Sequence, residues 1–116
     1  MSAAAVPQNE GERFAYEAKQ DGFMVFSGEM EGATVDFYFH CDNGTFLCET
    51  MYNGKPAKMA GELKLKDDGK WWCIPCWGVQ PEGDSEWVDT KGEEEKGFDL
   101  SLTEIDFEGA KLQRRN

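Results

Sequence analysis

Histidine is almost missing from this chain of 116 residues: His40 is the only one, so no histidine-based metal cluster can form. Cations are scarce, with 12 Lys and Arg against 23 Asp and Glu, a formal charge of −11. That balance excludes a nucleic-acid backbone or an anionic membrane as the expected partner, because both are negative themselves. No apolar run approaches the roughly 20 residues of a membrane-spanning helix. Residues 1–11 have neither the basic nor the apolar region of a signal peptide, so a cytoplasmic location is expected. Glycine-rich nucleotide fingerprints, Walker-type loops and HExxH are all lacking, and no cofactor is expected. Aliphatic residues are few, with five Val, two Ile and six Leu.

Aromatic residues take their place: 8 Phe, 4 Trp and 3 Tyr. They favour strands and each buries a large area. Thirteen glycines punctuate the chain, and after a small, polar tail over 1–12, expected to be disordered, turn signals recur about every ten residues. These are Gln20-Asp21-Gly22, Glu31-Gly32, Asn43-Gly44, Asn53-Gly54 and Asp68-Gly69. Such pairs supply the positive φ angles of tight hairpins. Between them run alternating segments at 13–19, 23–30, 33–42, 45–52, 55–66 and 70–79, followed by 85–90 and 97–107. The reading is one all-β domain over 13–107. It is an antiparallel up-and-down meander of about eight strands, closed as a barrel or flattened into a sandwich. Residues 108–116 form a short terminal segment, the one place left for a helix.

Two-residue turns pair residues whose numbers have a constant sum, so they fix the register. Glu31-Gly32 sets Phe26 opposite Phe37 and Met24 opposite Phe39. Asn43-Gly44 sets Phe39 opposite Cys48, and Asn53-Gly54 sets Cys48 opposite Met59 and Glu49 opposite Lys58. Asp68-Gly69 sets Leu63 opposite Ile74 and Gly61 opposite Cys76. A three-residue loop at 20–22 sets Tyr16 opposite Phe26. One apolar face then runs through Phe14, Tyr16, Met24, Phe26, Val35, Phe37, Phe39, Cys41, Phe46, Cys48, Met59, Leu63, Leu65, Trp72, Ile74 and Cys76. Pro75 lacks an N–H, so 70–79 is expected at an edge or bulged there.

The opposite face carries charge but also Tyr38, His40, Leu47, Trp71 and Trp77, with His40, Leu47, Ala60 and Trp77 in one row. An apolar patch there requires a cover, either another part of the chain or a second molecule. The first functional expectation is therefore a non-enzymatic association module, with Tyr38, His40, Leu47, Trp71 and Trp77 meeting a protein partner or a second copy. The second is a barrel similar in layout to lipocalin-like meanders, with Phe37, Thr50, Tyr52 and Trp72 lining a cavity for a small apolar ligand.

The third rests on Trp72-Cys73-Ile74-Pro75-Cys76, which resembles the active-site pentapeptide of thioredoxins over five of the 116 residues. The resemblance implies thiol oxidoreduction through Cys73 and Cys76, on a motif that opens a helix. The alternation around it instead implies a strand, with the two thiols on opposite faces, Cys76 toward the core. Cys41, Cys48, Cys73 and Cys76 could supply four zinc ligands, but that register separates them. Reduced packing cysteines, with no metal, are the expectation. Asp36, Tyr38 and His40 share a face and could support acid–base work, yet no nucleophile is placed beside them. Residues 80–106 hold ten acids against Lys91 and Lys96, which is −8 of the total −11.

Overall fold

The computed structural model describes residues 9–82, 86–90 and 92–116. One antiparallel sheet of nine strands dominates it, with a single short helix, α1 (Glu10–Ala18). The strands are β1 (Met24–Met30), β2 (Ala33–His40), β3 (Thr45–Tyr52), β4 (Lys55–Leu65), β5 (Trp71–Val79), β6 (Trp87–Asp89), β7 (Lys96–Phe98), β8 (Glu104–Phe107) and β9 (Ala110–Arg114). Their order is β6-β5-β4-β3-β2-β1-β9-β8, and β7 pairs with β5 beside β6. The sheet curls until β7 and β8 approach each other, with the Phe98 and Phe107 rings 5.5 Å apart. The two do not pair, so the barrel expected as one alternative is not closed.

Two expected elements change type. The segment 13–19 is helix, not strand, and Tyr16 does not face Phe26. Asn9 caps α1 by accepting the Glu12 N–H at 2.8 Å, and Glu10 and Glu12 lie in the first turn, where the helix dipole favours anions. Arg13 ties the turns together through Glu10 and Glu17. Residues 9–12, expected in the tail, thus belong to the helix and its cap, and the rest of that expectation, residues 1–8, lies outside the described residues. At the other end, 108–116 forms β9 rather than helix. Glu108 and Gly109, both at positive φ, make a two-residue turn that sets Phe107 opposite Ala110. Strand β9 then returns beside β1, with Phe26 opposite Arg114.

Two turns reverse the chain as expected. Met30 faces Ala33, and Cys48 faces Met59 with Glu49 opposite Lys58, whose charges lie 3.6 Å apart. Such a pair contributes at most ~1 kcal/mol. At Asn43-Gly44 the turn spans four residues, 41–44, because Gly44 N–H donates to the His40 carbonyl and Asn43 N–H to the His40 ring. Phe39 therefore faces Phe46, and Phe37 faces Cys48. A slip of two residues leaves each side chain on its expected face.

Between β4 and β5 the slip is one residue. Lys66 and Lys70 close a three-residue loop, with Gly69 at φ +81°. Leu63 now faces Cys73 and Leu65 faces Trp71, so Cys73 turns inward while Trp72 and Ile74 turn outward. Beyond Gly61, which faces Pro75, a bulge makes Cys76 the extra residue, and Ala60 faces Trp77 as expected. Pro75 sits between the stretch paired to β7 (71–73) and the stretch paired to β6 (77–79), so its missing N–H falls where neither strand needs it.

The inner face packs Phe26, Val35, Phe37, Phe39, Phe46, Leu63, Cys73, Phe98, Ile105, Phe107 and Leu112 into one core. Of the expected core face, Phe14 and Tyr16 leave with the helix, Trp72, Ile74 and Cys76 leave with the β5 slip, and Leu65 is 59% exposed at the end of its strand. The outer apolar patch is covered by the chain itself. Ala18, Leu47 and Ala60 are fully buried there, with Phe14, Ala15, Tyr38 and Trp87 packed around them. Gly11 lets the helix lie on Trp87, since a Cβ there would fall 2.5 Å from the indole ring.

Candidate functional site

The inner face is not filled to its end. Beside the aromatic core lies a half-open cavity of about 460 Å³. This is within the roughly 300–1,000 Å³ of small-molecule sites. Its apolar wall comes from alternate, inward positions of neighbouring strands: Phe37 on β2, Phe46 and Cys48 on β3, Met59 on β4, Cys73 and Pro75 on β5, Phe107 on β8. Met30, at the end of β1, adds a flexible thioether. Thr50 and Tyr52 continue the β3 row outward, with Tyr52 41% exposed. Lys58, Gln80, Glu93, Glu94, Lys96 and Glu108 complete the lining with polar groups.

The ends of the curled sheet meet at this cavity. Lys96 at the start of β7 holds Glu108, just after β8, at 2.7 Å and Glu94 at 3.5 Å. Glu108 holds the Lys96 ammonium above its ordinary pKa. Lys58 is engaged by Glu49, which also meets Lys19 at 3.3 Å. The Thr50 hydroxyl donates to the Thr34 carbonyl at 2.7 Å.

Of the four residues expected to line a cavity, Phe37, Thr50 and Tyr52 do so. Trp72 does not, and the one-residue slip is the reason. It stands on the outside between Lys66, whose ammonium is 4.5 Å from its ring centre, and Gly97, with its indole N–H donating to Asp68.

The five residues expected to meet a partner are not brought together on a free face. Leu47 is 1% exposed beneath α1, and Tyr38 packs beside it under Lys19. Trp71 packs against the inner core, and Trp77 is half-buried opposite Ala60. His40 is buried and faces Thr45 rather than joining the Leu47 row. Its Nδ1 accepts from Asn43 N–H, so Nε2 carries the proton and donates to the Asp21 carbonyl at 2.8 Å. The ring thus pins two loops, and Asp36 is taken up by the Ser27 hydroxyl. In the expected Asp36–Tyr38–His40 set, both ring nitrogens of His40 are therefore already occupied.

Cys73 and Cys76 sit on strand β5, not at a helix N-terminus, and all four cysteines are free thiols. Cys73 lies in the inner core, the reverse of the expected arrangement, and Cys76 occupies the bulge with its thiol toward the Ile74 carbonyl. Burial pushes the Cys73 thiol well up and Cys48 up to about 12, the opposite of what an attacking thiolate needs. Among the described residues no group of three or more His, Cys, Asp or Glu could hold a metal ion.

These thiols give a pH dependence. Above the ordinary value of 9.0 the unfolded chain releases their protons while the folded chain keeps them, so folding stability is whole at neutral pH and declines as pH rises from 9.0 toward 12. Replacing Cys48 and Cys73 by alanine is expected to flatten that decline in urea titrations run at several alkaline pH values. An equal decline in the double variant would contradict it.

The positions that the sequence missed are on the far rim. Pro75 joins Cys73 on the inner side through the one-residue slip, Val79 reaches the cavity from the end of β5 opposite Lys58, and Glu93, Glu94 and Glu108 arrive through the curl of the sheet. The Glu108-Gly109 pair, of the same type as Glu31-Gly32, was the available signal for the last hairpin. Among known proteins, no family model matches the chain, and neither a curated protein nor a solved structure matches it.

Proposed function

We propose that the chain binds a small apolar molecule in the cavity of its curled sheet. One observation carries the reading: a space of about 460 Å³ opens among Met30, Phe37, Phe46, Cys48, Met59 and Phe107. A half-open recess of this volume with an aromatic and sulfur-bearing wall has the character of a small-molecule site. The association reading has less to stand on, because its central residue Leu47 lies beneath α1.

Nile red, a neutral dye that brightens in apolar surroundings, tests the proposal. It is expected to bind at one site per chain with a blue-shifted emission. Ala57 lies half-buried on the cavity wall, and Ala57→Trp is expected to weaken binding at least tenfold by filling the space, with the folded far-UV signal intact. Equal binding by the folded Ala57→Trp variant would place the dye elsewhere and remove the support for the proposal.

A further inference from the structure

We infer that the ligand of this cavity joins an apolar body to a basic nitrogen, an inference that rests on the cavity being a ligand site. The polar groups that line the cavity are unequal in sign. Among the described residues, two cations, Lys58 and Lys96, stand with three carboxylates, Glu93, Glu94 and Glu108. Both cations are already engaged, Lys96 by Glu94 and Glu108 and Lys58 by Glu49. An anionic head would have to displace one of these carboxylates and would meet the repulsion of those left. A cationic head meets surplus negative charge without displacing anything.

Two further features point the same way. Tyr52 lines the cavity and is 41% exposed, so its ring is available to an ammonium group from the solvent side. Deeper in, the Thr50 hydroxyl is committed to the Thr34 carbonyl, and the neighbouring groups are rings, thioethers and thiols. The wall therefore suits the apolar body, and the charged head belongs at the rim. The formal charge of −11 adds a long-range field that concentrates cations over anions.

Three naphthalene probes of one shape separate the possibilities: 2-naphthylmethylamine, 2-naphthylmethanol and 2-naphthoate, each displacing Nile red from the intact chain at low and at 0.5 M salt. The amine is expected to bind about fivefold more tightly than the alcohol at low salt, and the carboxylate more weakly than either. The advantage of the amine should shrink at high salt and in Glu93→Gln. Carboxylate binding as tight as amine binding, with the alcohol also bound, would overturn the inference and leave the cavity reading standing. No displacement by any of the three while Nile red stays bound would overturn the inference alone, and failure of Nile red itself to bind would overturn both.

Discussion

Phe39→Ala is expected to cost about 4 kcal/mol of folding stability. Phe39 is fully buried, and its ring stacks on Phe37 at 5.6 Å, meets Phe26 at 5.9 Å and meets Phe98 at 4.8 Å. The contact with Phe98 matters most for the fold. Phe98 belongs to β7, which pairs only with β5, so Phe39 is the inner link between the middle of the sheet and one of its ends. Truncation removes a ring and leaves a hole that rigid strands on either side cannot close. Since domains of this size have about 5–15 kcal/mol in all, the variant should unfold at a far lower urea concentration. A loss below about 1 kcal/mol would mean that the inner face is not packed around this ring.

Gly61→Ala is expected to cost about 3 kcal/mol, although it adds one methyl group. A Cβ at Gly61 would run into the Ile74 carbonyl oxygen and lie 2.9 Å from the Cys76 amide nitrogen. Both are backbone atoms, so no side chain can rotate away. The bulge that restores the register of β5 depends on this close approach. Without it, one half of β5 must slip by a residue, which either drives Cys73 out of the core or turns Trp77 inward. Urea unfolding gives the magnitude. Amide exchange gives the location, with protection lost first along Trp71–Val79. Wild-type stability in this variant would show that β5 tolerates a regular register.

How far the sequence carried the fold depends on what a turn signal contains. A glycine pair marks where the chain reverses, but not how many residues the reversal takes. Glu31-Gly32 and Asn53-Gly54 are two-residue turns, and their registers follow. At Asn43-Gly44 the His40 ring widens the turn by two residues, and the faces survive. At Asp68-Gly69 the loop takes one more residue, and that alone moved Trp72 out of the cavity and Cys73 into the core. Phe37, Thr50 and Tyr52, which line the cavity, lie on β2 and β3, ahead of that slip.

The helix was hidden by a coincidence of spacing. Phe14 and Tyr16 alternate as a strand would, while Gly11, Phe14, Ala15 and Ala18 sit at helical intervals beneath a capping Asn9. Recognising α1 would also have supplied the cover for Leu47 and removed the main argument for an external partner. The acidic residues near Glu93 gave no local sign of a site, because their place at the cavity follows from the curl of the whole sheet.

The most direct test of the account is a methyl NMR titration with 2-naphthylmethanol. Met30 and Met59 line the cavity, whereas Leu47 and Ala60 lie beneath α1 on the other face. Saturation is expected to shift the Met30 and Met59 methyl signals strongly and leave those of Leu47 and Ala60 in place. Shifts at Leu47 and Ala60, with Met30 and Met59 unmoved, would contradict it.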